Sequence, residues 1–148
     1  MKLPSAFYLS IIAFIWFGYV AGISFLEAPL KFQAPGITLP PGLGIGRIVF
    51  GTLNKIEIVF AIVISCNAFL KTKAAIIKKL TALLLVILAT QSFWLLPFLD
   101  NRAEMIIKGI QPPASQHHFV YIALEAFKLL LLFALGIKNL QFCNNEKI

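Results

Sequence analysis

Four long apolar runs, at residues 5–26, 45–70, 80–99 and 117–137, alternate with short polar connections along the chain. At 1.5 Å of rise per residue, each can cross a hydrocarbon core about 30 Å thick. The first run carries no charge and is longer than the apolar stretch of about 7–15 residues in a secretory signal; Lys2 alone stands before it as a basic flank. It is expected to stay in the protein as a membrane span. Pro29, Pro35, Gly36, Pro40, Pro41 and Gly42 are expected to end the first helix and delay the second until about Ile45. Lys71, Lys73, Lys78 and Lys79 mark the next loop. The third run is interrupted by Thr90, Gln91 and Ser92 and is expected to bend or end at Pro97, before a loop over 100–116. Lys138 closes the fourth run, and a polar tail follows. The pattern predicts an all-α fold, a four-transmembrane-helix bundle forming one domain over 1–148.

Composition agrees: 59% of residues are hydrophobic, 13% are charged and the mean hydropathy is +0.89, values of the membrane class. The net charge of +7 does not imply a nucleic-acid partner, because no aromatic-basic platform accompanies it. The cations stand at the ends of apolar runs instead. Lys2, Lys71, Lys73, Lys78, Lys79, Lys138 and Lys147 fall on one side, against Lys31, Arg47, Arg102 and Lys108 on the other. The positive-inside rule then predicts a bacterial inner-membrane protein with the N and C termini cytoplasmic. Cys66 and Cys143 are expected to be reduced and unpaired. Besides the lipid bilayer, a homo-oligomer or a larger membrane complex stays open as partner, since the Gly18-x-x-x-Gly22 pattern suits contact within the bundle or between copies.

Polar residues inside the runs carry the candidate chemistry. A charge at a helix centre costs about 2.5–3.5 kcal/mol to insert, and each Leu, Ile, Phe or Val returns only about 0.3–0.6. The second span, with Asn54, Lys55 and Glu57, must therefore find polar partners. Arg47, Phe50, Asn54 and Glu57 recur at spacings of 3, 4 and 3, as do His118, Tyr121, Glu125 and Lys128, so each set forms one stripe of a helix. Matching them by depth sets Arg47 beside His118, Phe50 beside Tyr121, Asn54 beside Glu125 and Glu57 beside Lys128, with Lys55 a second partner for Glu125. Each stripe follows a Pro-Pro pair, which suggests a duplicated helical hairpin with a site at the repeat interface. Gln91 reaches a similar depth on the third span. The candidate site is Arg47, Asn54, Lys55, Glu57, Gln91, His118, Tyr121, Glu125 and Lys128.

Two readings of that site stand side by side. The charges are buried pairs that set helix register, or they mark a pathway for a small ligand, ion or metal. An accessory subunit would use the same residues for assembly. His117 and His118 point about 100° apart on a helix, unlike an i, i+4 metal pair, but with Glu104 and Met105 in the same outer loop a copper or zinc site stays open. Gly-x-Ser-x-Gly, His-Glu-x-x-His and Cys-x-x-Cys are all absent from the sequence, so hydrolytic catalysis has little to work with and an enzyme is not favoured; the cofactor stays unknown.

With these residues placed, the chain resembles a family of small four-span bacterial membrane proteins related to transmembrane protein 205 of eukaryotes. The resemblance rests on Trp16-Phe-Gly18 through Ala28-Pro29 and Phe32, Gly46-Arg47 with Phe50, Leu96-Pro97, and Ser115, His118, Tyr121, Glu125 and Lys128. It implies a four-helix integral membrane protein without an assigned reaction. A narrower resemblance, Arg47-x6-Asn54-x2-Glu57 after a Pro-rich loop, is to the four-span glutathione-dependent membrane enzymes of eicosanoid metabolism, where this stripe helps hold glutathione. The third span departs from that family in having no arginine or tyrosine, and lysine counting puts the Pro-rich loop on the opposite side of the membrane.

Overall fold

A computed structural model describes residues 5–145, whose ordered elements are all helical. Helix α1 runs over Ser5–Val20, widens into a π-helical segment at Ala21–Glu27, and ends through Ala28–Leu30 and a 3-10 turn at Lys31–Gln33. Helix α2 spans Leu39–Leu70. Helix α3 covers Ala75–Thr90, a second π-helical segment at Gln91–Leu95, and Leu96–Ile107. Helix α4 is His117–Asn145. Each of the four contains a window with mean hydropathy of 1.9 or above and is long enough to span a bilayer.

The predicted spans are thus present but too short at several ends. Pro40 and Pro41 do not delay α2; they lie in its first turn, where a missing N–H is no loss. Lys78 and Lys79 belong to α3, and the lysine-rich loop shrinks to residues 71–74. Pro97 does not end the third span. A proline ring clashes with the carbonyl four residues earlier, and in both α1 and α3 a π segment closes two residues before the proline, at Glu27 before Pro29 and at Leu95 before Pro97. The wider turn displaces that carbonyl and lets the helix continue. Helix α3 then stops at Gly109, whose φ of 78° suits a residue without Cβ. The Gly109 N–H donates to Ile106 O at 3.0 Å and that of Ile110 to Met105 O at 2.9 Å, the paired bonds of a Schellman cap. The expected polar tail is also helical as far as Asn145, and Asn139 and Cys143 are buried in it.

Neighbouring helices alternate in direction. Phe14 of α1 meets Gly136 of α4 near one end, while Ser24 reaches Glu125 farther along. Arg47 and Asn54 of α2 meet Asp100 and Ser92 of α3 in reverse order. The interior is a column of Leu9, Ala13, Trp16, Val20, Ala61, Ile64, Leu84, Leu88, Leu132 and Leu135. The outer surface is apolar as well: Phe93, Leu70, Ile48, Phe119 and Leu130 are all more than two-thirds exposed. Large apolar side chains covering the outside while Glu57, Glu125 and Lys128 fill the inside suit lipid, not water, as the surrounding medium. The chain is built as a multi-pass membrane protein.

Candidate functional site

The buried face of α4 reads Tyr121, Glu125, Lys128, Leu132, Leu135 and Asn139, and that of α2 reads Leu53, Glu57, Ala61, Ile64 and Ala68. Both follow the three- and four-residue spacing of one helical face, so Glu57, Glu125 and Lys128 are carried to the axis of the bundle by the same periodicity as the leucines around them. Lys128 Nζ lies 2.5 Å from Glu57 Oε1 and 2.9 Å from Glu125 Oε1. All three side chains are at most 1% exposed. One ammonium thus serves two carboxylates.

The other helices complete the cluster. The Trp16 indole N–H of α1 donates to Glu57 Oε1 at 2.9 Å. Ser24 Oγ, also of α1, donates to Glu125 Oε2 at 2.9 Å, and Gln91 Nε2 of α3 donates to Glu125 Oε1 at 2.7 Å. Ser24 and Gln91 both lie in the π-helical segments, so the two widened turns sit on either side of Glu125 and aim a donor at it. The amide oxygen of Gln91 is buried and has no partner among the described residues. Tyr121 stands one turn beyond Glu125 on the same face, its ring edge-on to Phe50 with centroids 5.8 Å apart.

Helices α2 and α4 run parallel, and Glu57 and Lys128 are 71 residues apart. Phe50 and Tyr121 meet at the same offset. A second correspondence links α1 to α3: Ser24-Phe-Leu-Glu-Ala-Pro29 and Ser92-Phe-Trp-Leu-Leu-Pro97 share Ser-Phe-x-x-x-Pro, and a π segment ends at the same place in each. The contacts respect the exchange. Ser24 of α1 donates to Glu125 of α4, while Ser92 of α3 accepts from Asn54 of α2 at 2.7 Å, and Asn54 and Glu125 are the residues that the offset makes equivalent. Two similar hairpins, α1–α2 and α3–α4, thus face each other with Glu57–Lys128 at their junction.

Not every residue predicted for the site arrives there. Lys55 is exposed on the outer face of α2 and does not pair with Glu125; two residues on from Lys55, Glu57 lies about 200° around the helix, and both cannot face inward. Asn54 bonds Ser92 in place of Glu125. Arg47 does not reach His118: its guanidinium grips Asp100 with bonds of 2.6 and 2.9 Å and lies 3.4 Å from Glu104. His118 is exposed. His117 bonds Ser115 through Nδ1 at 2.6 Å and stacks on Phe98 with centroids 3.9 Å apart. Among the described residues no three His, Cys, Asp or Glu side chains converge to hold a metal. Arg47, Asn54 and Glu57, the stripe similar to that of the glutathione enzymes, turn to three separate partners.

Trp16, Ser24 and Ser92 escaped the sequence reading. The repeated Ser-Phe-x-x-x-Pro was the signal for the two serines; Trp16 stood among the residues of the family resemblance but was not placed at the site. Trp16→Phe is expected to keep most of the packing but remove one donor to a buried carboxylate. A loss of about 1.5–3 kcal/mol in unfolding free energy follows, measurable by denaturant titration in detergent micelles. Comparison with protein-family models, with curated proteins and with solved structures finds no match to this chain.

Proposed function

We propose that the protein is a small proton-linked transport protein of the bacterial inner membrane, its termini cytoplasmic, in which the Glu57–Lys128–Glu125 cluster takes up and releases one proton. The observation that carries this reading is the charge count inside the cluster: two carboxylates against one ammonium, all at most 1% exposed. An unpaired charge in a medium of low dielectric costs several kcal/mol even after relaxation, and a proton shared within the cluster removes it. Gln91 supports the reading, because its unpartnered oxygen offers an acceptor to a protonated Glu125 once the amide turns over. The matched hairpins support it too: parallel repeats meeting at a polar site near mid-membrane recur among transporters, where one repeat rocks against the other. The kinship with relatives of transmembrane protein 205 is proposed on residues that include Trp16, Tyr121, Glu125 and Lys128, which gather in and around this cluster.

Infrared difference spectroscopy of the protein in lipid tests the reading. A carboxylic-acid carbonyl band is expected to appear as pH is lowered while the amide bands hold, and to be missing in Glu125→Gln. A folded protein whose carboxyl bands ignore pH, or match between the two proteins, is incompatible with a proton site here. Proteoliposomes then report transport as pH-driven flux that Glu57→Gln abolishes.

A further inference from the structure

Lys55 has no role in the buried cluster, and its position is costly. It lies roughly 12 Å along the helix from Arg47 and roughly 24 Å from Lys71, at 1.5 Å per residue, well inside the apolar part of α2. It is exposed, and among the described residues no side chain accepts a hydrogen bond from it or pairs with its charge. A lysine facing lipid at such depth costs about 2.5–3.5 kcal/mol by insertion scales. Around it Ile48, Thr52, Val59, Ile62, Cys66 and Phe69 are exposed as well. With Lys55 they recur at spacings of 4-3-4-3-4-3, the heptad seam along which a second helix can pack at a crossing angle near +20°. Thr52 satisfies its hydroxyl on Ile48 O at 2.8 Å, so Lys55 is the seam's one unsatisfied polar group.

We propose that this face of α2 docks a transmembrane helix of another protein, one that carries an aspartate or glutamate at the depth of Lys55. Charge complementarity selects that occupant. A second copy of this chain does not supply it: of the six acidic residues, Glu57 and Glu125 are buried, and Glu27, Asp100 and Glu104 stand toward the Arg47 end. Glu146 follows the fourth span, beyond the described residues. Two copies joined two-fold along the seam would also set Lys55 against Lys55. A partner carboxylate at this depth converts two separately costly charges into a pair with hydrogen-bonding geometry, which fixes both partner and register.

The test uses the full chain in lipid vesicles, with Cys66→Ser and Lys73→Cys so that a donor dye sits beyond the seam, Cys143 being buried. The probes are acceptor-labelled transmembrane leucine peptides with one central Glu, Gln or Leu. Energy transfer is expected to show the Glu peptide binding about tenfold more tightly than the Leu peptide, a difference of about 1.4 kcal/mol. Lys55→Leu is expected to erase that preference and Lys55→Arg to keep it. Equal binding of the three peptides, as when Lys55 is served by lipid headgroups, overturns the proposal. So does a Glu preference that survives in Lys55→Leu, or dilution-resistant transfer between two labelled copies of the chain that is lost in Lys55→Leu.

Discussion

Lys128→Met is expected to be the most damaging single substitution in the protein. It leaves Glu57 and Glu125, both nearly inaccessible, without the ammonium that lies 2.5 and 2.9 Å from them. Removing one partner of a buried ion pair costs about 3–5 kcal/mol, because the remaining charge stays buried, and here two charges of like sign remain. The variant is expected to fail to accumulate as folded protein in detergent at neutral pH, read by size-exclusion chromatography and limited proteolysis. Acidification restores part of the fold, since each carboxyl that takes a proton removes one buried charge. The double variant Glu57→Gln with Lys128→Met restores more. Glu125 then keeps its donors Ser24 and Gln91, and the other positions are filled by neutral groups of similar size. A double variant that folds like the native protein but no longer supports pH-driven flux separates the site's function from its structural role. Native flux in that variant returns the cluster to a role in helix register alone.

Gly136→Leu is expected to have the second largest effect. A Cβ at this position would stand 2.6 Å from Phe14 Cζ and within 2.9 Å of two further ring atoms. Phe14 packs edge-on against Phe133, with centroids 6.1 Å apart, so its ring can withdraw only by giving up that contact. Either the Phe14 ring is displaced or helices α1 and α4 move apart, and the Ser24–Glu125 bond lies across that interface. Overpacking of this kind costs about 1–3 kcal/mol, before the damage to the hydrogen bond is added. Gly18→Leu is the control, because a Cβ there meets nothing within 4 Å and the surface expectation is a change within about 0.5 kcal/mol. Equal destabilisation by the two substitutions is inconsistent with the close α1–α4 contact. The same openness at Gly18 and Gly22 shows that this small-residue pattern does not pack against the protein's own helices.

Helix depth was readable before the structure. Each residue advances a fixed distance along a membrane-crossing helix, so counting inward on α2 and α4 found both Phe50 with Tyr121 and Glu57 with Lys128, and the structure keeps both pairs. Rotation about the helix was readable too, but depth alone was matched for Lys55, and that error placed it beside Glu125. The helix ends were misjudged because a proline was taken as a stop. At Pro40 and Pro41 it opens a helix, and at Pro97 it follows a widened turn that accommodates it.

The apolar runs and the polar residues within them determined by themselves that this is a four-helix membrane protein whose intramembrane charges need polar partners, since a bilayer offers charge and unpaired backbone none. Beyond the pairs that depth matched, only the tertiary structure decided which groups meet. Arg47 goes to Asp100, Asn54 to Ser92, and Trp16, Ser24 and Gln91 to the two glutamates. Those choices depend on which faces of four helices turn toward one another and on two π segments that rotate Ser24 and Gln91 onto Glu125. A linear spacing pattern describes one helix at a time and carries no term for its neighbours.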